Sequence, residues 1–412
     1  MLNKFSFRKH IRNYFYDWWS NPRLTWWAVL CLGLVLALHK PWALTNPQLY
    51  AEDGTVFMKQ ADWYGVRAFI MPYMGYLSTI PRLVAWFCTN ALDPLYWPTF
   101  YNLVAFVITV AVAARMLSER LACLPYRPFL ALTLFLGPHT GEILITITNL
   151  QWFTAIALVQ QALMHPPSTN RQRFGDIAIV SVVGLTGPFV AAFLPIFAIR
   201  WWVKRQSHDL TILITATFCT AVQAWFVLHG PHFDHPPFDM TKYVVIISQH
   251  LMVWPILGTH AAVRVGSLGT ALLGFSLLII IIFWSVRRGV RREQRLIVLA
   301  AFILLLGASS LRGRFDTYSL LTPWDSDRYF FVPRVMLGWL LIMEIGSVYM
   351  IVRNGAKVIL MAIFLMHLPG YIIPTPPDFH WSSYCDSLRK GNSTEIPTLP
   401  EGWIVIYDGR RD

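Results

Sequence analysis

Apolar runs long enough to cross a bilayer recur along this chain, and its cations fall mainly in the stretches between them. A hydrocarbon phase supplies no hydrogen bonds, so a spanning backbone must be an α-helix or a closed barrel. The runs here are continuous rather than alternating, which selects helices. Only 14% of the 412 residues are charged and 55% are hydrophobic, whereas soluble domains carry roughly a quarter charged residues. The expected fold is therefore an all-α membrane protein, a polytopic helical bundle.

A span needs roughly 20 apolar residues, fewer when broken or supported by neighbours. Leu24–Leu44 is the first. The basic, aromatic segment 1–23 before it lacks a cleavage site after a short apolar core, so it reads as a cytoplasmic surface helix. Lys4, Arg8, Lys9, Arg12 and Arg23 place that segment inside by the positive-inside rule. Leu77–Leu92 is apolar but short and carries Arg82. Treating it as an interfacial helix keeps Arg115, Arg120, Arg127 and every later basic loop on one side. The passes that follow are Thr99–Met116, Pro128–Gly137 and Ile147–Met164, then Ile177–Arg200. That last segment is basic at both ends and holds Gly184, Gly187-Pro188 and Pro195, so it reads as two half-helices reaching the outer side and returning. Leu210–Leu228, Ser267–Val286, Leu296–Leu311, Val335–Val352 and Lys357–Leu368 complete about eleven spans. The expected organisation is segment 1–23, a membrane domain over 24–368 with an outer loop at 45–98, and a short external tail at 369–412.

The outer loop opens with adjacent carboxylates, Glu52 and Asp53, just past the first span. Ionisable residues at a membrane boundary are costly and are by default functional. Thr55–Phe69 reads as a helix after Gly54, broken by Met71-Pro72-Tyr73. Other polar residues crowd the same side: Glu142, the Asn149, Gln151 and Trp152 group opening the fourth span, and Arg312, Arg314, Arg328 and Tyr329 before the tenth. A carboxylate can take a hydroxyl proton as general base. Arginine forks and Arg82 suit an anionic phosphate, which they grip bidentately. Such a constellation fits transfer of a group from a lipid-linked phosphate.

Net charge +12 invites a nucleic-acid reading, but the cations follow the loops of a membrane protein, so no nucleic-acid partner is expected. His229, His232, His235, His250 and His260 match no zinc spacing; a divalent metal is conceivable but not indicated, and no cofactor is expected. The five cysteines show no metal motif; Cys31, Cys123 and Cys219 read as free thiols, and Cys88 and Cys385 fall on the outer side.

This layout resembles the GT-C superfamily of polytopic glycosyltransferases that use polyprenyl-phosphate-linked sugars. The resemblance rests on Glu52-Asp53-Gly54 followed by the surface helices Thr55–Phe69 and Leu77–Leu92. Gly141–Trp152, Asp327–Pro333 and Ile396–Trp403 are similar to segments of bacterial members that decorate surface polysaccharide. It implies a GT-C-like bundle with interfacial helices in the first outer loop, in a bacterial inner membrane, with the N-terminus cytoplasmic and the C-terminus periplasmic. It also implies a polyprenyl-phosphate sugar donor, a glycan or lipid-linked acceptor, and membrane lipids as partners. The superfamily's base is the acid of the first outer loop, which transfers to Asp53 first and Glu52 second.

Two other classes compete. A transporter or flippase of lipid-linked saccharide requires polar residues through the whole bilayer depth, and here they crowd one side. An O-antigen-type polymerase is read through two arginine-rich outer loops, whereas this chain puts an acidic pair directly after its first span.

Overall fold

A computed structural model describes residues 22–230, 239–312 and 327–409. Its described part is helical except for one hairpin, β1 (Thr394–Thr398) antiparallel to β2 (Trp403–Tyr407). Six helices are long and apolar enough to cross a membrane: Pro94–Arg115, Ser207–His229, Met240–Gly258, His260–Val286, Arg292–Ser310 and Met350–Gly370. The chain is thus a multi-pass helical membrane protein. Leu24–His39 and Arg127–Leu136 are shorter apolar helices.

Two helices form the centre. Leu150–Leu163 and Arg328–Glu344 are buried nearly all round, which their lack of a polar face dictates. Lipid-facing helices differ: only about a tenth of Met350–Gly370 is enclosed by protein, the 11% figure for its apolar window. Pro333 lies inside the second central helix and removes the N–H that would bond the Tyr329 carbonyl one turn back.

The basic connections gather at one end of the bundle. Arg120 bonds the His165 carbonyl and Asp176, Arg200 bonds the Met164 carbonyl and Asp209, and Arg291 bonds the Cys123 carbonyl. Lys204 meets Glu293, and Arg287 meets Glu344. The acidic loops gather at the other end. The expected break in Ile177–Arg200 is present: Asn170–Gly184 and Phe189–Lys204 are separate helices. Their junction is held by Gln223, which donates to the Gly184 and Gly187 carbonyls and accepts from the Leu77 N–H.

The apolar segment after the acidic loop forms the helix Thr79–Ala91, 13 residues, or about 20 Å. A hydrocarbon core is about 30 Å thick. Both its ends lie at the acidic end of the bundle: Thr79 bonds the Leu185 carbonyl, and Asp93 pairs with Arg389 of the tail. All five cysteines are unbridged.

Candidate functional site

Glu52 and Asp53 sit where the chain turns from an extended stretch into a helix. The turn needs Ala51 in the left-handed region at φ 45°. Asp53–Met58 then forms a wide, π-type turn that runs on as Lys59–Tyr64 and the tighter coil Gly65–Ile70. Such turns are rare and concentrate at functional sites. The hairpin closes over this start. Ala51 donates to the Leu399 carbonyl, and Leu399 donates to the Leu49 carbonyl at 3.0 Å. Gly54 is required here, since a Cβ would lie 2.6 Å from Val405 Cγ2.

Asp53 is fully buried. Its Oδ1 accepts the Thr148 N–H at 2.8 Å, and its Oδ2 has no partner among the described residues. Burial is the main reason its pKa is pushed up to about 8; the Thr148 N–H opposes the shift and the Glu52 charge adds to it. Glu52 is half-buried, and each of its oxygens takes one hydroxyl: Tyr73 at 2.7 Å and Thr148 at 3.2 Å. Burial, then the Glu52 charge, raises the Tyr73 phenol, so it remains a donor.

Glu142 completes an acidic triangle. Its Oε1 accepts the Arg328 N–H at 3.2 Å, and its backbone carbonyl accepts from Asn149 at 3.0 Å. Burial raises its pKa; Arg328 opposes that and Asp327 reinforces it. Both central helices therefore begin at this cluster, one donating through Thr148 just ahead of its start and the other through Arg328. A helix N-terminus carries roughly half a positive charge, worth about 0.3–1 kcal/mol to an adjacent anion.

The cations divide into engaged and open. Arg334 is locked: it contacts Asp327 at 2.5 Å as an ion pair not aligned as a hydrogen bond, and donates to the His250 and Pro138 carbonyls, each at 2.8 Å. Lys40 is buried and donates to the Leu144 carbonyl at 2.6 Å, with its ammonium 4.7 Å from the Trp42 ring. Arg328 is the open one. Among the described residues its guanidinium makes no hydrogen bond; it lies 5.7 Å from the Tyr329 ring, in the field of Glu142 and Glu52.

Of the residues expected from sequence, Glu52, Asp53, Glu142, Asn149 and Arg328 come together. Trp152 and Tyr329 form the neighbouring wall, edge to face at 5.4 Å, and the buried Trp152 Nε1 has no partner among the described residues. Gln151 stands beside them, donating to the Tyr76 hydroxyl at 3.2 Å. Arg82 is placed elsewhere. It is buried against the Phe57 ring at 5.6 Å and bonds Gln60 at 2.9 Å, with no carboxylate in range. Arg314 and the Arg312 side chain lie outside the described residues, as do His232 and His235.

Sequence reasoning missed Thr148, Tyr73 and Lys40 as parts of the site, and it read Asp327 and Arg334 as charges of the outer loop without pairing them. Asp327 and Arg334 carry a readable signal, opposite charges seven residues apart across a proline. Thr148 carries none, since its contribution is mainly a backbone N–H. Among the described residues no group of three or more His, Cys, Asp or Glu is arranged to hold a metal ion. Comparison with family models, with characterised proteins and with solved structures finds nothing that matches this chain.

Proposed function

We propose that this chain is a membrane glycosyltransferase of GT-C type, with about eleven spans, that moves a sugar from a polyprenyl-phosphate donor to a surface glycan or lipid-linked acceptor. The observation that carries the reading is the pairing, at one end of an apolar bundle, of a buried carboxylate oxygen and a guanidinium that make no hydrogen bond among the described residues. Asp53 is the base in this reading. Among the described residues its Oδ2 is the one oxygen of the acidic pair without a donor, and a pKa near 8 matches the affinity of a base to neutral conditions. Glu52, held by two hydroxyls, orients the acceptor. Arg328 takes the donor phosphate, helped by the N-terminus of its own helix. Glu142, Asn149, Gln151, Trp152 and Tyr329 form the sugar-facing wall, stacking and hydrogen-bonding its rings. The orientation that goes with it places the acidic end on the periplasmic face of an inner membrane.

The test is transfer of a radiolabelled sugar from polyprenyl phosphate in membranes, normalised to protein level. Asp53→Asn keeps size and removes the proton-accepting charge, so transfer is expected to fall by roughly 10²–10⁴-fold. Glu52→Gln is expected to cost less. Wild-type rates in the double variant would remove the acidic loop from the chemistry. Absence of transfer in the wild type, with vesicle uptake of lipid-linked saccharide instead, would select the flippase reading.

A further inference from the structure

A cavity of about 490 Å³ lies beside the acidic site, and Glu52, Asp53, Glu142 and Arg328 are not among its lining residues. Its wall adjoins that site: His39 lines the cavity while Lys40 bonds the loop that bears Glu142, and Thr140 lines it while its N–H holds Asp327 at 2.9 Å. Ligand cavities commonly run from about 300 to 1,000 Å³.

Its polar lining is neutral and incomplete. Among the described residues no lysine, arginine, aspartate or glutamate lines it. Both ring nitrogens of His139 are used: Nδ1 accepts the Gly141 N–H and Nε2 bonds the Phe135 carbonyl, each at 3.1 Å. Burial holds that ring down to about 4, so it stays uncharged. His367 Nε2 has no partner among the described residues. His39, only 4% exposed, has an unpartnered Nδ1, and Thr140 an unpartnered Oγ1. Three buried polar atoms without partners are costly unless something satisfies them.

The mouth is apolar and faces lipid. Phe364, Met366 and Leu368, on the candidate span Met350–Gly370, line the cavity and are 44%, 44% and 51% exposed. Trp254 and Leu136 continue the apolar wall inward.

We propose that this cavity binds an uncharged, hydroxyl-bearing amphiphile drawn from the bilayer, its hydroxyls seated on His39, Thr140 and His367 and its chain leaving past Phe364 and Leu368. An anionic headgroup is disfavoured, because no charged donor lines the cavity and the His139 imidazole is neutral. A hydrocarbon without hydroxyls would leave the three orphan atoms unsatisfied. This inference does not depend on the glycosyl-transfer reading.

The probe is a monoacylglycerol with a diazirine in its chain, photolysed with the full chain in phosphatidylcholine nanodiscs and mapped by mass spectrometry. Label is expected in the peptides holding Leu136–Thr140 and Phe364–Tyr371, displaced by unlabelled monoacylglycerol but not by glycerol. His367→Phe and Thr140→Val are each expected to lower that label about fivefold, the effect of one lost hydrogen bond, while Thr140→Ser retains it. Equal labelling by the diazirine fatty-acid methyl ester would overturn the hydroxyl assignment. Displacement by an alkyl phosphate would overturn neutrality, and displacement by glycerol alone would make the site one for soluble polyols. Label spread evenly over all lipid-facing helices would leave no site.

Discussion

At its last turn the Arg328–Glu344 helix carries a glutamate gripped by Arg287 and Arg295; at its first turn it offers an N–H to Glu142, which no arginine side chain touches among the described residues. The contrast extends to the whole of each end. At the basic end Asp176 takes Arg120 through two bonds of 2.8 and 2.7 Å, and Asp209 takes Arg200 at 2.9 Å. At the acidic end Glu52, Asp53 and Glu142 rely on hydroxyls, backbone N–H groups and helix N-termini, and the closed pairs Asp327–Arg334 and Asp93–Arg389 involve none of the three. A buried charge must be compensated, and a paired one has no capacity left for a ligand. The helix C-terminus makes the point sharper, since its dipole disfavours Glu344 and only the arginines make that position tolerable. One end is finished as architecture; the other keeps free valence.

The comparison breaks first at Glu344. Glu344→Ala leaves Arg287 and Arg295 facing each other unpaired, a loss of roughly 3–5 kcal/mol. A thermal-unfolding scan in detergent reads it, and an unchanged midpoint would mean the basic end is not held by this pair. Arg328→Ala should do the opposite, sparing the midpoint while cutting donor use roughly 10–100-fold, the worth of a charged hydrogen bond. Arg328→Lys should recover part of that, because an ammonium lacks the two-toothed fork.

A pH series sharpens the contrast further. If Asp53 is the base, about a tenth of it is ionised at pH 7 and half at pH 8, so transfer should rise roughly fivefold between them and level off above. A flat profile would remove Asp53 from that role. The sign for stability is the reverse. A carboxyl whose pKa is raised by folding favours the native state most below its unfolded value near 4, and that contribution is lost as pH rises through about 8. The smallest effect is Tyr73→Phe, which removes one neutral donor from Glu52 and should cost transfer about two- to tenfold. A loss as large as that of Asp53→Asn would move the phenol into the chemistry itself.

How much of this was readable beforehand follows from where the information sits. The break at 185–188 was legible because Gly184, Gly187 and Pro188 act locally on the backbone. The shortness of the helix 79–91 was legible too, from the length of its apolar run. The acidic pair was legible by type and place, since carboxylates beside an apolar run are conspicuous. Its state was not. That Asp53 is the buried member and Glu52 the hydroxyl-bound one depends on Thr148, 95 residues away, donating from its backbone. The hairpin was equally hidden. Its strands are only five residues each, and what makes them pair is the surface of the acidic helix beneath. Arg82 shows the converse, a cation of the expected type whose position puts it against Phe57 rather than a carboxylate.

The hairpin over Gly54 also sets a schedule. Trp63 in the acidic loop bonds the Gly409 carbonyl, 346 residues later in the chain, and Lys59 bonds the Ile406 carbonyl. At about 5–20 residues per second, a ribosome needs roughly 20–70 s to bridge that interval. Closure of the hairpin over the acidic helix therefore waits for the last part of the chain.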